Sequence, residues 1–279
     1  MDEHNDQRER WALILGASSG FGAAAGLSLA RAGYPIIGVH LDLRGTIASA
    51  QKVRDDIAAT GVPVVFHNMN AADPEKRRQV IEAAQHLFDE RRREGRDPFV
   101  AVVLHSLAFG TTLSYVTTDP EEKEVSQKQL EMTADVMAHS LVYWVRDLFH
   151  AGLLGDGSRV FAMTSEGSSK AVPTYGPVSA AKAALEAHVR QLALEMIRHG
   201  VTVNAIRAGV TDTPALRRIP GYTELKQAAE ERNPGGRLTR PEDVGEALVA
   251  LASPRLHWMT GNVLGVDGGE MMGARRTGS

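Results

Sequence analysis

Apolar and polar positions along this chain follow two periods. Short, nearly unbroken apolar runs recur at Trp11–Leu15, Ile36–Leu41, Val62–His67, Phe99–Leu104, Val160–Met163, Val201–Ile206 and Val263–Val266. Runs of that length bounded by turn residues predict buried strands. Between them, apolar residues recur at steps of three and four, which predicts helices over Phe21–Ala32, Ile47–Thr60, Pro74–Arg93, Thr133–Leu153 and Pro241–Ala252, and from Val178 onward. In the last of these, Leu185, Val189, Leu192 and Met196 form the apolar stripe. Residues 111–132 are polar and read as a loop with a short surface helix. Residues 215–236, rich in charge, Gly and Pro, read as a mobile segment on the substrate side. The polar residues 1–10 read as a flexible arm and residues 273–279 as a frayed tail. Strand and helix alternate throughout 11–272, so the expected class is α/β, one domain with a parallel, doubly wound sheet.

Composition narrows the function. With 279 residues, 43% hydrophobic and 23% charged, the chain can fill one large core. A formal net charge of −3 argues against a nucleic-acid partner. No apolar run has the length of a membrane span, and residues 1–10 are too polar for a signal peptide, so no membrane association is expected. The chain has no cysteine, which excludes thiol catalysis and fits a cytoplasmic location. None of its 10 histidines shows paired ligand spacing, so no metal is expected.

The first strand runs directly into GASSGFG, with Gly16, Ser18, Ser19, Gly20, Phe21 and Gly22 opening the next helix. Strand, glycine turn and helix make a Rossmann-type dinucleotide unit. The glycines let the backbone approach a pyrophosphate, and the helix N-terminus offers it free N–H groups. At the end of the second strand stand Asp42 and Arg44. A carboxylate there accepts from a ribose 2′-OH and favours NADH, whereas an arginine pairs with a 2′-phosphate and favours NADPH. Both roles stay open, with Asp42 tilting the choice slightly to NADH; two solvated loop charges are the plain alternative. Asn70 and Ala71 fall where adenine would lie. Ser106, Leu107 and Ala108, at the end of the fourth strand, would floor the nicotinamide side, with His105 before them more often structural than catalytic.

The stretch from Thr164 to Arg190 carries the candidate chemistry: Ser165, Tyr175 and Lys182. Pro177 belongs in a first helical turn, which puts Tyr175 at the mouth of the helix. Seven residues is about two turns, so Tyr175 and Lys182 share a face. An ammonium beside a phenol should lower its pKa and make it a proton donor.

With GASSGFG, Tyr175, Lys182 and TGNVLGVDGG (260–269), the chain resembles the short-chain dehydrogenase/reductase family over about residues 11–272. That family's usual signature is Tyr-x3-Lys with a serine 17 positions before the lysine, and Ser165 holds the serine's place. Four before Lys182, however, stands Val178. The Tyr-x6-Lys spacing is similar to that of the enoyl-acyl-carrier-protein reductase branch, as are HSLAFG (105–110) and Ala-Gly in RAGVTDT (207–213). The chain departs from that branch in having Ser165 where many members carry a second tyrosine. It departs from ordinary members in having Met137 about where their helix keeps an asparagine.

The resemblance implies reduction of a trans-2-enoyl thioester, on acyl-carrier protein or another carrier, by a nicotinamide cofactor. Tyr175 would stabilise the developing enolate, Lys182 would bind the ribose and orient the phenol, and Ser165 would hold substrate or water. Gly209, Val210 and Thr213 would lie at the carboxamide. A homotetramer is also implied. Moving the tyrosine three residues earlier shifts it by about 4 to 5 Å along a helix, which suits a charged oxygen two atoms from the hydride-accepting carbon. The alternatives are a 3-oxoacyl or other carbonyl reductase of the same family, and a nucleotide-binding regulator or scaffold without catalysis.

Overall fold

The computed structural model describes residues 8–214, 216–218 and 221–273. Seven strands form one parallel sheet in the order β3-β2-β1-β4-β5-β6-β7. They are β1 (Arg8–Leu15), β2 (Ile36–His40), β3 (Val64–Asn68), β4 (Asp97–His105), β5 (Arg159–Thr164), β6 (Thr202–Ala208) and β7 (Val263–Val266). The helices are α1 (Gly20–Arg31), α2 (Ile47–Ala58), α3 (Pro74–Arg93), α4 (Gln127–Ala134), α5 (Ser140–His150), α6 (Gly176–Met196), α7 (Tyr222–Arg232) and α8 (Pro241–Leu251). The expected parallel, doubly wound sheet is what the chain forms.

Alternation along β1 shows why both faces are covered. Trp11, Leu13 and Leu15 point into one core with Phe88 of α3, Trp144 of α5 and Leu185 of α6. Ala12 and Ile14 point into the other, with Leu29 of α1, Ile57 of α2 and Leu248 of α8. Each large side chain buried this way contributes about 1.5–3 kcal/mol. The strand order reverses between β1 and β4, where Leu15 pairs with His105. Ligands of open α/β sheets bind in the crevice outside the strand ends at such a reversal, and the glycine turn opens there.

Two expectations are corrected. β1 begins at Arg8, so the arm expected through residue 10 ends earlier. Arg8–Arg10 pair with Asp97–Phe99, and Glu9 accepts two hydrogen bonds from Arg91 and one from Trp11, which holds the strand's first turn of sequence in place. Residues 1–7 of the arm and 274–279 of the tail lie outside the described residues. The helix expected over Thr133–Leu153 starts at Gln127, where Ser126 and Gln129 form a capping box. It widens into a π turn at Asp135–His139 before continuing as α5. The segment 215–236, expected to be a mobile stretch on the substrate side, carries α7 over half its length. No described helix is long and apolar enough to cross a membrane.

Candidate active site

The glycine turn is shaped by steric necessity. Gly16 has φ +91°, and a Cβ there would stand 2.5 Å from the Ser106 carbonyl oxygen. Gly20, at φ +53°, faces the Thr213 methyl. At Gly22 a Cβ would overlap the Gly16 carbonyl itself, so this glycine is required to close the turn. Ser19 is the N-cap of α1 in extended conformation. It makes no side-chain cap bond, and the first turn holds no acidic residue. The helix N-terminus therefore offers uncommitted N–H groups at its positive end, which fits a pyrophosphate. Phe21 packs against the α1-side core.

Asp42 leaves β2 beside this turn. Its carboxylate lies 2.8 Å from His40 Nδ1. Burial alone would raise its pKa, but hydrogen bonds from Thr46, Ser18 and His40 outweigh this and hold it below the usual carboxylate range. An ionised acceptor thus stands against the glycine turn. Arg44 is exposed. Asn70 is committed locally, its Oδ1 accepting from the Ala72 N–H at 3.0 Å. The Ala71 carbonyl accepts from Trp144 Nε1 at 2.8 Å. Ser106, whose N–H donates to the Leu15 carbonyl, lies against Gly16. Leu107 packs on the core, and Ala108 is exposed.

At the mouth of α6 the structure brings Ser165 and Tyr175 together, and the hydrogen bond that Lys182 donates goes to the Met163 carbonyl. Tyr175 is the N-cap residue, with φ −90° and ψ 0°, so it lies just ahead of the helix that carries Lys182. Its ring lies on Gly167, where a Cβ would meet ring carbons at 2.8 Å. Thr174, at φ +61°, turns the chain into that position; a β-branched residue there is strained. Burial raises the Tyr175 pKa, a hydrogen bond with Ser165 lowers it, and Glu166 raises it further. The net shift is upward, which corrects the expectation that Lys182 lowers it.

Lys182 is buried and donates to the Met163 carbonyl at 2.7 Å. Burial depresses its pKa to about 8, with Glu186 pulling it back up. Glu186 itself accepts from Thr164 Oγ1 at 2.7 Å. Beneath Lys182 is His105, fully buried, with Nε2 2.7 Å from Ser140 Oγ. The Ser140 hydroxyl is already donated to the Val136 carbonyl, so His105 Nε2 carries the ring proton. Burial, then the charge of Lys182, hold the His105 pKa down at about 3, so it stays neutral. Met137, in the π turn, packs with Val178 and Ala181, so the position four residues before Lys182 is buried among apolar side chains.

The loop after β6 closes the site. Thr213 is buried against Gly20, so the glycine turn and this loop meet. The Val210 N–H donates to Glu270 Oε2 at 3.0 Å. Gly209 abuts Glu270 and Thr239, where a Cβ would come within 2.6 and 2.5 Å of their oxygens. Asp212 accepts from Arg217 and from Lys226 of α7, both at 2.8 Å, bonds that depress its pKa to about 2. Sequence reasoning missed Ser140, Glu186 and Glu270. The residue after DGG was the available signal for Glu270, whereas nothing local marks the other two. Beside Thr174–Gly176 lies a groove of about 600 Å³ lined by Leu113, Tyr115, Val116, Ala171 and Val172. Among the described residues no three metal-binding side chains converge.

The family described as Enoyl-(Acyl carrier protein) reductase matches residues 16–270. The chain is 32% identical over 174 residues to the enoyl-[acyl-carrier-protein] reductase [NADH] of Aquifex aeolicus, an alignment covering 60% of this chain and 61% of that one. It thus spans less than two thirds of that relative's length. A short-chain dehydrogenase/reductase of Pestalotiopsis microspora is 30% identical over 270 residues, covering 92% of this chain and 94% of the relative. The crystal structure of the Aquifex aeolicus enoyl reductase (NADH) superposes with a TM-score of 0.77 at 25% identity, over 95% of this chain and 98% of that one.

Proposed function

This chain belongs to the short-chain dehydrogenase/reductase family of nicotinamide-dependent oxidoreductases, within its enoyl-(acyl carrier protein) reductase model, and on that premise we propose that it reduces the trans-2 double bond of an enoyl thioester. The observation that carries this reading is the position of the Tyr175 phenol ahead of α6. Four residues before Lys182, Val178 is buried in an apolar cluster, while the hydroxyl is supplied by Tyr175 ahead of the helix. In ketone reduction, hydride lands on the carbon bearing the oxygen. In enoyl reduction it lands two atoms away, so the hydroxyl that meets the developing charge stands further from the nicotinamide.

The cofactor, when bound, supplies the hydride. Gly16, Gly20 and the α1 N-terminus would take its pyrophosphate, Asp42 the adenosine ribose, Lys182 the nicotinamide ribose, and the Gly209–Thr213 loop the carboxamide. Asp42 favours NADH. Tyr175, with a pKa held up by burial, keeps its proton and donates a hydrogen bond to the thioester oxygen as charge develops there. Ser165 fixes the orientation of that hydroxyl. The apolar groove beside Thr174 suits an acyl chain. Acyl-carrier protein is the carrier this reading favours, in the cytoplasm. The exposed alanines of α6, Ala180, Ala183 and Ala187, support close helix contact between copies in a tetramer.

The test compares crotonyl or longer enoyl thioesters with the matching 3-oxoacyl thioesters, using both reduced cofactors. Turnover of the enoyl substrates alone is expected. Turnover of the 3-oxoacyl substrates alone would replace this reading with carbonyl reduction, and turnover of neither would favour a non-catalytic role. Light scattering at micromolar concentration should give four copies.

A further inference from the structure

After β7, the turn Asp267–Gly269 delivers Glu270 into the interior, where its side chain is 2% exposed. Oε2 accepts from the Val210 N–H at 3.0 Å and lies 3.4 Å from Asn233 Nδ2. Oε1 stands 3.7 Å from an Arg232 guanidinium nitrogen. Gly209 leaves no room for a Cβ between this carboxylate and the loop backbone. Glu270 is thus wedged against the loop assigned above to the nicotinamide and joined to the C-terminal end of α7. No step of the proposed reduction uses it. Burying a carboxylate is costly, and an amide of the same shape would fill the space without that cost. Burial, with a smaller push from the neighbouring Glu166, raises its pKa overall, against Val210, Arg232 and Asn233, which favour the charged form.

A charge has an effect here that an amide lacks. The reduced nicotinamide ring is neutral and the oxidised ring is a cation, so a fixed carboxylate on its loop favours the product of hydride transfer. We propose that Glu270 is a positioning residue, whose carboxylate holds the Gly209–Thr213 loop through the Val210 N–H and makes the site prefer oxidised over reduced nicotinamide. This rests on the reading that the loop takes the nicotinamide, and it is independent of the substrate.

The experiment is equilibrium binding of NAD+ and NADH, and of NADP+ and NADPH, to the full chain at pH 8 by calorimetry and cofactor fluorescence. Glu270→Gln keeps an oxygen for the Val210 N–H and removes the charge. It should weaken the oxidised forms about five- to tenfold and change the reduced forms less than about twofold, since only the oxidised ring bears the charge that is lost. Equal weakening of both forms would show a purely structural residue and overturn the proposal, as would no change. Arg232→Ala removes the cation facing Oε1 and should shift the ratio towards the oxidised form. If the glutamine variant does not fold, a shift in the other direction, or none, in Arg232→Ala is the overturning result. Wild-type protein that binds neither form would defeat the cofactor reading itself, an outcome distinct from an unchanged ratio.

Discussion

At the end of β1 the backbone decides everything. Gly16 and Gly22 make approaches that a Cβ would block, against the Ser106 and Gly16 backbone, and Gly16 and Gly20 hold positive φ. At the mouth of α6 side chains decide. Tyr175 is placed by its ring on Gly167, by Ser165 and by a strained Thr174, and Lys182 is turned away to the Met163 carbonyl. A site made by backbone sterics tolerates no change but specifies little chemistry. A site made by side chains survives substitution and loses only its reactivity. The largest expected effect tests the first half of that contrast. Gly22→Val should cost about 3 kcal/mol or more of stability, the upper range for overpacking against a fixed backbone, and abolish cofactor binding. Thermal unfolding and calorimetry measure both. A folded Gly22→Val variant with wild-type affinity would break the comparison.

Tyr175→Phe tests the other half. The ring still covers Gly167, so the melting temperature should hold. The lost hydroxyl should lower kcat for an enoyl thioester at least tenfold, about 1.4 kcal/mol of barrier. Ser165→Ala should lower it less, since Ser165 acts by orienting the phenol. A loss of stability in Tyr175→Phe comparable to that in Gly22→Val would erase the distinction.

Between the two regions stands Asp42, a side chain fixed on the glycine turn through Ser18. Asp42→Ala should weaken NADH about five- to tenfold relative to NADPH, the scale of one charge-assisted hydrogen bond. The ratio of the two dissociation constants measures it. If the wild type prefers NADPH and Arg44→Ala removes that preference, the ribose is read by the arginine.

The same contrast explains what was legible in the sequence. The sheet and its helices were, because Trp11–Leu15 and the other apolar runs carry a period that packing on two faces demands. The glycine turn was, because its constraint is local. The environment of the Tyr175 phenol was not, because helical arithmetic assumes both Tyr175 and Lys182 are in the helix, and Tyr175 is its cap. Ser140 and Glu270 escaped for a related reason. Their partners, His105 and Val210, lie 35 and 60 residues away and meet them only through the order of strands. The π turn that presents Ser140 leaves no mark in an apolar stripe that reads as ordinary helix.

Lys182 gives the smallest and most diagnostic effect. In the cofactor-free protein burial has brought its pKa down to about 8, whereas in the unfolded chain it lies near the usual value of about 10.4. Between these two values the unfolded chain binds the proton and the folded protein does not. Stability therefore rises with pH across that window, and the cost of the buried charge is fully felt below about pH 8. Cofactor affinity should run the other way. If the ammonium donates to the nicotinamide ribose and faces the anionic pyrophosphate, binding favours the protonated form. Affinity then falls about three- to fivefold from pH 7 to 9.5, within the limit of tenfold per pH unit set by one proton. General alkaline loosening would lower stability and affinity together, so the opposite slopes identify Lys182. Lys182→Met should flatten both. A wild-type affinity that stays constant while stability rises would mean that Lys182 titrates on the Met163 carbonyl without serving the cofactor, leaving the side-chain half of the site to Tyr175 and Ser165.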